Sequence, residues 1–171
     1  MDLDERPHTP GGEPGWEESW TFEVADDHGT LALSVRLTLR AGGAAFRASL
    51  ARPDEPLVLV VDDDLPAPHG QVLELRAEGL WCALELEVPL EHWTVGMEAF
   101  GVAVDDPSDE RGVRTPLGTD LEWETTGPVE TWVGGYGMPC RVTGELLVGR
   151  ERLTVDAPGR RRHDWGVTPP R

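Results

Sequence analysis

Apolar and polar residues alternate with a period of two along much of this chain, a pattern typical of β-strands with one buried face. The clearest case is 30–40, where leucine or valine occupies every odd position from 31 to 39 and the even positions are mostly polar. Further short runs follow, separated by turns rich in Gly, Pro and Asp, and no segment has apolar residues at helical spacing over ten or more positions. We therefore expect an all-β protein, either an antiparallel barrel or an open β-sandwich.

The longest apolar run with strand character is 93–105, Trp-Thr-Val-Gly-Met-Glu-Ala-Phe-Gly-Val-Ala-Val-Asp. A strand that is covered on both faces reads as a near-continuous apolar run, so this stretch is predicted to be a central strand. Its one ionisable interior residue is Glu98, which alternation places on the same face as Phe100. A carboxylate in apolar surroundings is costly unless it is paired or protonated. Glu98 is thus a candidate proton donor inside a lumen; alternatively it faces solvent or pairs with an arginine on the next strand.

The size and charge of the chain restrict its class and partners. At 171 residues we expect a disordered lead-in at 1–15, which is polar and rich in Pro and Gly, and a single β domain at 16–171. The net charge of −17 argues against nucleic acid and anionic membrane surfaces as partners. With neither a signal segment nor an apolar run of membrane-helix length, we expect no membrane span and a cytoplasmic location.

The residue types that commonly bind metals and cofactors do not occur in this sequence at the spacing of a known motif. The two cysteines, Cys82 and Cys140, are predicted to be reduced core thiols. Five scattered histidines give no zinc motif, and the acidic run at 62–64 lacks the ligand spacing of a calcium loop and is interpreted as a solvated turn. A phosphate-binding loop, a dinucleotide fingerprint and a Gly-x-Ser-x-Gly elbow are all missing from the sequence. We expect neither a metal nor a cofactor.

Aromatic residues are the natural lining of a ligand site, because the lumens and mouths of β-barrels commonly bind small molecules. Near the C-terminus, alternation places Arg161, His163 and Trp165 on one face of a strand. His163 is a candidate catalytic residue, since a histidine can donate or accept a proton near pH 7. The alternative is a structural closure, in which Trp165 plugs one barrel end and His163 binds a backbone carbonyl. The candidate ligand-binding residues are Trp20, Trp81, Trp93, Phe100, Trp132 and Trp165.

Four motifs in a fixed order carry a resemblance to a known family. They are Trp-Glu-Glu-Ser-Trp-Thr-Phe at 16–22, Trp-Thr-Val-Gly-Met-Glu-Ala-Phe at 93–100, Tyr-x-x-Pro-Cys-x-Val-x-Gly at 136–144, and Arg-x-His-x-Trp-Gly at 161–166. Together they resemble the lipocalin-like β proteins related to carotenoid 1,2-hydratase (hydroxyneurosporene synthase) and tocopherol cyclase, and their bacterial relatives. The resemblance covers roughly 16–166 and implies a lipocalin-like form of the barrel or sandwich.

Two departures from that family bear on function. Arg162 and Asp164 replace an Asp and a Ser of the C-terminal signature, and members of the family usually continue into a second β half. A catalytic cleft shared between two halves would then be absent, or a second copy of the chain or another β domain would supply the missing half. Three functions stay open: binding of a small apolar or isoprenoid-type molecule, a hydratase or cyclase that uses Glu98 or His163 as proton donor, and a non-catalytic interaction domain with a filled core.

Overall fold

The fold is that of a computed structural model, which describes residues 3–9, 12–106, 108 and 112–167. Within these ranges the chain forms β-strands and no helix, so none of the described residues lies in a helix that could cross a membrane. The strands are β1 (Trp16–Ala25), β2 (Ala32–Arg40), β3 (Gly43–Ala51), β4 (Leu57–Leu65), β5 (Leu73–Ala77), β6 (Leu80–Val88), β7 (His92–Val104), β8 (Val113–Thr125), β9 (Glu130–Trp132), β10 (Gly135–Val148) and β11 (Glu151–Val167).

All described strands belong to one antiparallel sheet that bends into a ring. Its order is β4-β3-β2-β1-β11-β10-β8-β7, and the end of β7 pairs back onto β4, with Leu57 opposite Val104 and Leu59 opposite Val102. Strands β6 and β5 extend the sheet beyond β7, and β9 pairs with β10. The all-β, antiparallel class expected from the alternation is confirmed. The predicted central strand is β7, which is hydrogen-bonded to β6, β8 and β4.

The inward face of the ring is filled with side chains. The alternating stretch becomes β2, and its Val35 and Leu37 are fully buried, as one apolar face in two requires. Large aromatic residues from β1, β7, β8 and β10 pack beside them in the same core. The largest fully buried side chains include Trp20, Phe22, Phe46, Trp93, Trp123 and Tyr136.

The acidic run at 62–64 departs from the sequence expectation, because it continues β4 and is not a turn. Its neighbour β3 supplies the opposite charge: the Arg47 guanidinium lies 3.0 Å from the Asp63 carboxylate, and Arg40 of β2 lies 4.0 Å from it. Leu65 then returns to the core at the end of the strand. Cross-strand arginines thus offset part of the acidic charge at this end of the strand.

Candidate functional site

One end of the ring has polar side chains in its interior, whereas the rest of the core is mainly apolar. It is the end at which β1, β7 and β10 begin and β11 ends. The register sets Trp20 opposite His163 and His163 opposite Tyr136, which brings three neighbouring strands together there. We call the following six buried residues the barrel-end cluster: Glu18, Trp20, Trp93, Tyr136, Arg161 and His163.

His163 is held at both ring nitrogens. Its Nε2 lies 2.6 Å from Glu18 Oε1, and its Nδ1 lies 3.1 Å from the Tyr136 hydroxyl. The imidazole also stacks on Trp20, with ring centroids 4.5 Å apart. Burial raises the pKa of Tyr136, so its phenol keeps its proton at neutral pH. The carboxylate, imidazole and phenol therefore form a hydrogen-bonded chain with the connectivity that proton transfer requires.

Residues 3–9, which we call the cover segment, close this end of the ring. Glu18 accepts the backbone N–H of His8 at 3.0 Å and lies 2.6 Å from the Nδ1 of the same residue. The His8 ring packs against Trp165, with centroids 4.5 Å apart. The Trp20 indole donates to the Glu5 carbonyl at 3.0 Å. The cover segment thus satisfies polar groups that the strands leave open.

Glu5 of the cover segment contacts the barrel-end cluster and is almost completely buried. Its carboxylate forms an ion pair with Arg161, and the exposed fractions of the two side chains are 1% and 5%. The indole of Trp93 donates to the same carboxylate at 3.0 Å, and the backbone N–H of Leu90 donates to it as well. The other arm of the guanidinium lies 3.3 Å from the hydroxyl of Thr125. Three donors from separate parts of the fold therefore converge on one carboxylate.

Three residues of this end could hold a metal ion. His8, Glu18 and His163 place donor atoms within 4.8 Å of one another, and two imidazoles with a carboxylate are a donor set that zinc accepts. Their N···O distances of 2.6 Å are those of hydrogen bonds. Donors around one tetrahedral zinc would lie about 3.3 Å apart. The three side chains are arranged for hydrogen bonding to each other, and a cation would require them to separate.

Four of the sequence-predicted site residues lie together at this end: His163, Trp20, Trp93 and Trp165. Trp20 and Trp93 are buried, and Trp165 is half-buried with its ring centroid 5.0 Å from that of His163. The face shared by Arg161, His163 and Trp165 points inward, in the phase that alternation predicts.

The remaining predicted residues lie on the outer surface, and Glu98 faces solvent, which was the alternative to the lumen hypothesis. The phase of β7 turns Val95 and Met97 inward, so Glu98 is exposed and Phe100 is 52% exposed. Together with Trp81 they line a groove of about 460 Å³ on the outer face of the sheet. Trp132 lies elsewhere on the outside, where its indole donates to Asp164 at 2.8 Å.

Sequence reasoning missed Glu5, Glu18, Tyr136 and Arg161 as site residues. Glu18 had a detectable signal, because it stands between Trp16 and Trp20 at the inward positions of β1. Tyr136 and Arg161 belong to two of the sequence motifs, but a motif does not say which side chains meet. Glu5 had no signal, since a polar stretch rich in Pro and Gly does not indicate that one of its carboxylates is buried.

Comparisons with known proteins identify a family and a fold. The sequence matches the family described as "Domain of unknown function (DUF7064)" over residues 1–169. No curated protein matches the chain. A solved structure described as CghA with Sch210972 superposes with a TM-score of 0.60 at 15% identity, and a second structure of CghA has a TM-score of 0.47 at 14% identity.

The first of these structures shows that the fold is shared. Each alignment covers 89% of this chain and 46% of the CghA chain, so the present chain spans about half the length of the solved protein.

Proposed function

The chain belongs to the DUF7064 family, and we propose that it is a small-molecule-binding β-domain whose ligand site is the barrel-end cluster. In this proposal the cover segment, residues 3–9, is the lid of the site. The observation that carries the proposal is the convergence of polar groups from β1, β7, β10 and β11 on a segment that belongs to no strand.

The composition of the cluster supports a ligand site better than a purely structural one. Binding sites for small molecules combine aromatic walls with a few convergent polar groups, and this end of the ring has both. Buried ion pairs and buried polar chains contribute little net stability compared with apolar packing. A cluster of this kind, in an otherwise apolar core, therefore favours a role in recognition.

The ligand in this proposal is a small apolar or isoprenoid-type molecule with one polar group. Trp20, Trp93 and Trp165 would pack against its apolar part, and the Glu18–His163–Tyr136 chain would bind its polar end. CghA, which shares the fold, has been solved with Sch210972, and this supports small-molecule binding by such a domain. A relation to carotenoid 1,2-hydratase and tocopherol cyclase belongs to the same proposal. So does a cytoplasmic location, which agrees with the two buried free thiols.

A hydratase or cyclase is the second candidate, and one observation favours it. His163 lies between a carboxylate and a phenol at distances of 2.6 and 3.1 Å, which is a proton-transfer geometry. His163, and not the exposed Glu98, would then protonate the substrate. The third candidate, an interaction domain, is supported by the filled interior and by the groove on the outer face. A second copy or a second β half would then pack against that face.

Calorimetric titration with farnesol, an isoprenoid alcohol, tests the proposal. We expect saturable binding that weakens at least tenfold in Trp20→Phe and stays unchanged in Trp132→Phe, because only the first tryptophan lies in the cluster. Binding that responds to Trp132→Phe alone would move the site to the outer surface. Absence of farnesol binding would favour the third candidate, the interaction domain. A hydration or cyclisation product, lost in His163→Gln while binding persists, would establish the enzyme.

A further inference from the structure

The hydrogen-bond donors that surround the Glu5 carboxylate form a binding site for a carboxylate group. Its three donors are the Arg161 guanidinium, the Trp93 indole and the Leu90 backbone N–H, and they come from β11, β7 and the turn between β6 and β7. Arg161 and Trp93 are buried, so these donors act where water competes little. We propose that the natural ligand carries a carboxylate that binds where the Glu5 carboxylate lies. This inference rests on the proposed function.

The donors are positioned by the ring and not by the cover segment. The Thr125 hydroxyl donates to the Leu90 carbonyl at 2.7 Å and lies 3.3 Å from a guanidinium nitrogen of Arg161. The Thr125 N–H also donates to the carbonyl of Glu91 at 2.8 Å, which fixes the same turn. Two of the three donors therefore keep their place when residues 3–9 move away. Preorganised donors of this kind are what tight recognition of an anion requires.

The turn that presents the Leu90 N–H has an unusual backbone. Leu90 has a φ of 62°, in the left-handed region that a non-glycine residue seldom adopts. Such conformations persist only where the surroundings enforce them, and they concentrate at binding sites. Here the conformation directs a backbone donor at a carboxylate, which agrees with a ligand site at this position.

Arg161 needs an anion at this place. Among the described residues its one ion pair is with Glu5, and its Nε has no hydrogen-bond partner there. A buried guanidinium without a counter-ion is strongly unfavourable, so the cover segment is displaced most readily when another anion takes the position of Glu5. A ligand carboxylate meets this condition, whereas a neutral alcohol displaces the cover segment at a greater cost and binds more weakly.

The cover segment then acts as a tethered competitor. It is joined to β1 by only a few residues, so its effective concentration at the site is high. The net charge of −17 also opposes the entry of anions in general. Both effects select ligands that add substantial apolar burial to the carboxylate contact, which describes a fatty or isoprenoid acid and excludes small anions.

Octanoate and octan-1-ol, which differ in the head group, are suitable probes. We expect the wild-type chain to bind octanoate more tightly than octan-1-ol. Glu5→Ala removes the competitor, and its affinity for octanoate should rise at least tenfold, while its affinity for octan-1-ol should change less than threefold. The preference for octanoate should disappear in the double variant Glu5→Ala with Arg161→Met, which removes both charges and leaves neither unpaired. Glu23→Ala, an exposed glutamate of β1, is the matched control and should behave as wild type.

The results separate this inference from the proposed function. Equal affinity of Glu5→Ala for octanoate and octan-1-ol would overturn the carboxylate inference and leave a ligand site at the barrel end. Failure of both probes to bind any variant would overturn both. If Glu5→Ala is unstable, its melting temperature is compared in two solutions of equal ionic strength, one with acetate and one with acetamide and chloride. The melting temperature should be higher in acetate. Equal melting temperatures in the two solutions would count against the inference.

Discussion

Glu5 and Arg161 stand 156 positions apart in the chain and form a buried ion pair at one end of the ring. The contact joins the segment before the first strand to the inward face of the last strand. It also places a carboxylate of the chain itself within a set of donors from β7, β11 and the turn at Leu90.

Neutralising one partner of this pair should be costly. Glu5→Gln leaves the buried charge of Arg161 without a counter-ion, and we expect a loss of about 3–5 kcal/mol in urea unfolding. The double variant with Arg161→Met should be less destabilised than the sum of the two single variants. Asp156→Asn is the control, because it breaks an ion pair with Arg141 in which both side chains are exposed. A Glu5→Gln variant as stable as that control would show that the pair is solvated in solution.

The hydrogen bonds of Glu18 give a second prediction. This buried carboxylate accepts the His8 N–H and contacts the rings of His8 and His163. Glu18→Gln presents an amide N–H₂ group to donors, so we expect a loss of about 1–3 kcal/mol by chemical unfolding. Glu23→Gln changes the same residue type on the exposed face of β1 and should have an effect within about 0.5 kcal/mol. Similar losses of unfolding free energy for both variants would contradict the buried hydrogen bonds of Glu18.

The core prediction concerns Leu37, which is 0% exposed on β2. Leu37→Ala removes buried methyl groups and leaves a cavity, so we expect a loss of about 2–5 kcal/mol in urea unfolding. Leu147→Ala is the matched control, since Leu147 is 39% exposed on the outer face of β10. Its loss should be clearly smaller, and equal losses would mean that the two faces of the sheet are not distinguished in this way.

Alkaline pH should destabilise the protein through three buried groups. Burial raises the pKa of the Cys82 and Cys140 thiols and of the Tyr136 phenol in the folded chain. In the unfolded chain cysteine and tyrosine ionise near about pH 8.5 and 10. The native state therefore keeps protons that the unfolded state releases. Stability is fully present below those values and falls as the pH rises, by at most about 1.4 kcal/mol per pH unit for each group.

This chain isolates the effect unusually well. The sequence has fifteen arginines and no lysine, so no lysine titrates in the same range, and it has one tyrosine and two cysteines. Urea unfolding at pH 8 to 11 should show a decline that steepens above pH 10. Tyr136→Phe should remove the steeper part, and Cys82→Ala should reduce the decline that begins near about pH 8.5. A free energy of unfolding that is constant up to pH 11 would show that these groups are solvated.

The sequence was informative wherever one residue in two had to be buried. Alternation predicted the strand of Leu37 and the inward face shared by His163 and Trp165, because each side of a strand has its own environment. Alternation does not say which face of a doubly apolar strand points inward. That is why alternation placed Glu98 correctly beside Phe100 on one face but left both a lumen and solvent open for that face, and the structure shows solvent.

The site itself depends on contacts between residues far apart in the chain. Glu18 meets His163 because the first strand, β1, pairs with the last, β11, and Glu5 meets Arg161 because the segment before β1 packs on the same end of the ring. No local pattern encodes such pairs, and the cover segment has a composition that usually indicates a flexible terminus. A composition typical of a terminus therefore gave no indication of the residue that pairs with Arg161.

Amide hydrogen exchange at His8 tests most directly whether the cover segment occupies a ligand site. Its N–H donates to the buried Glu18 in the free protein, so it should be protected before ligand is added. With saturating farnesol we predict that this protection falls towards the rate of an unstructured chain, while the amide of Val95 in β7 exchanges as before. Farnesol binding that leaves His8 fully protected would contradict the account, because the ligand would then bind without displacing residues 3–9.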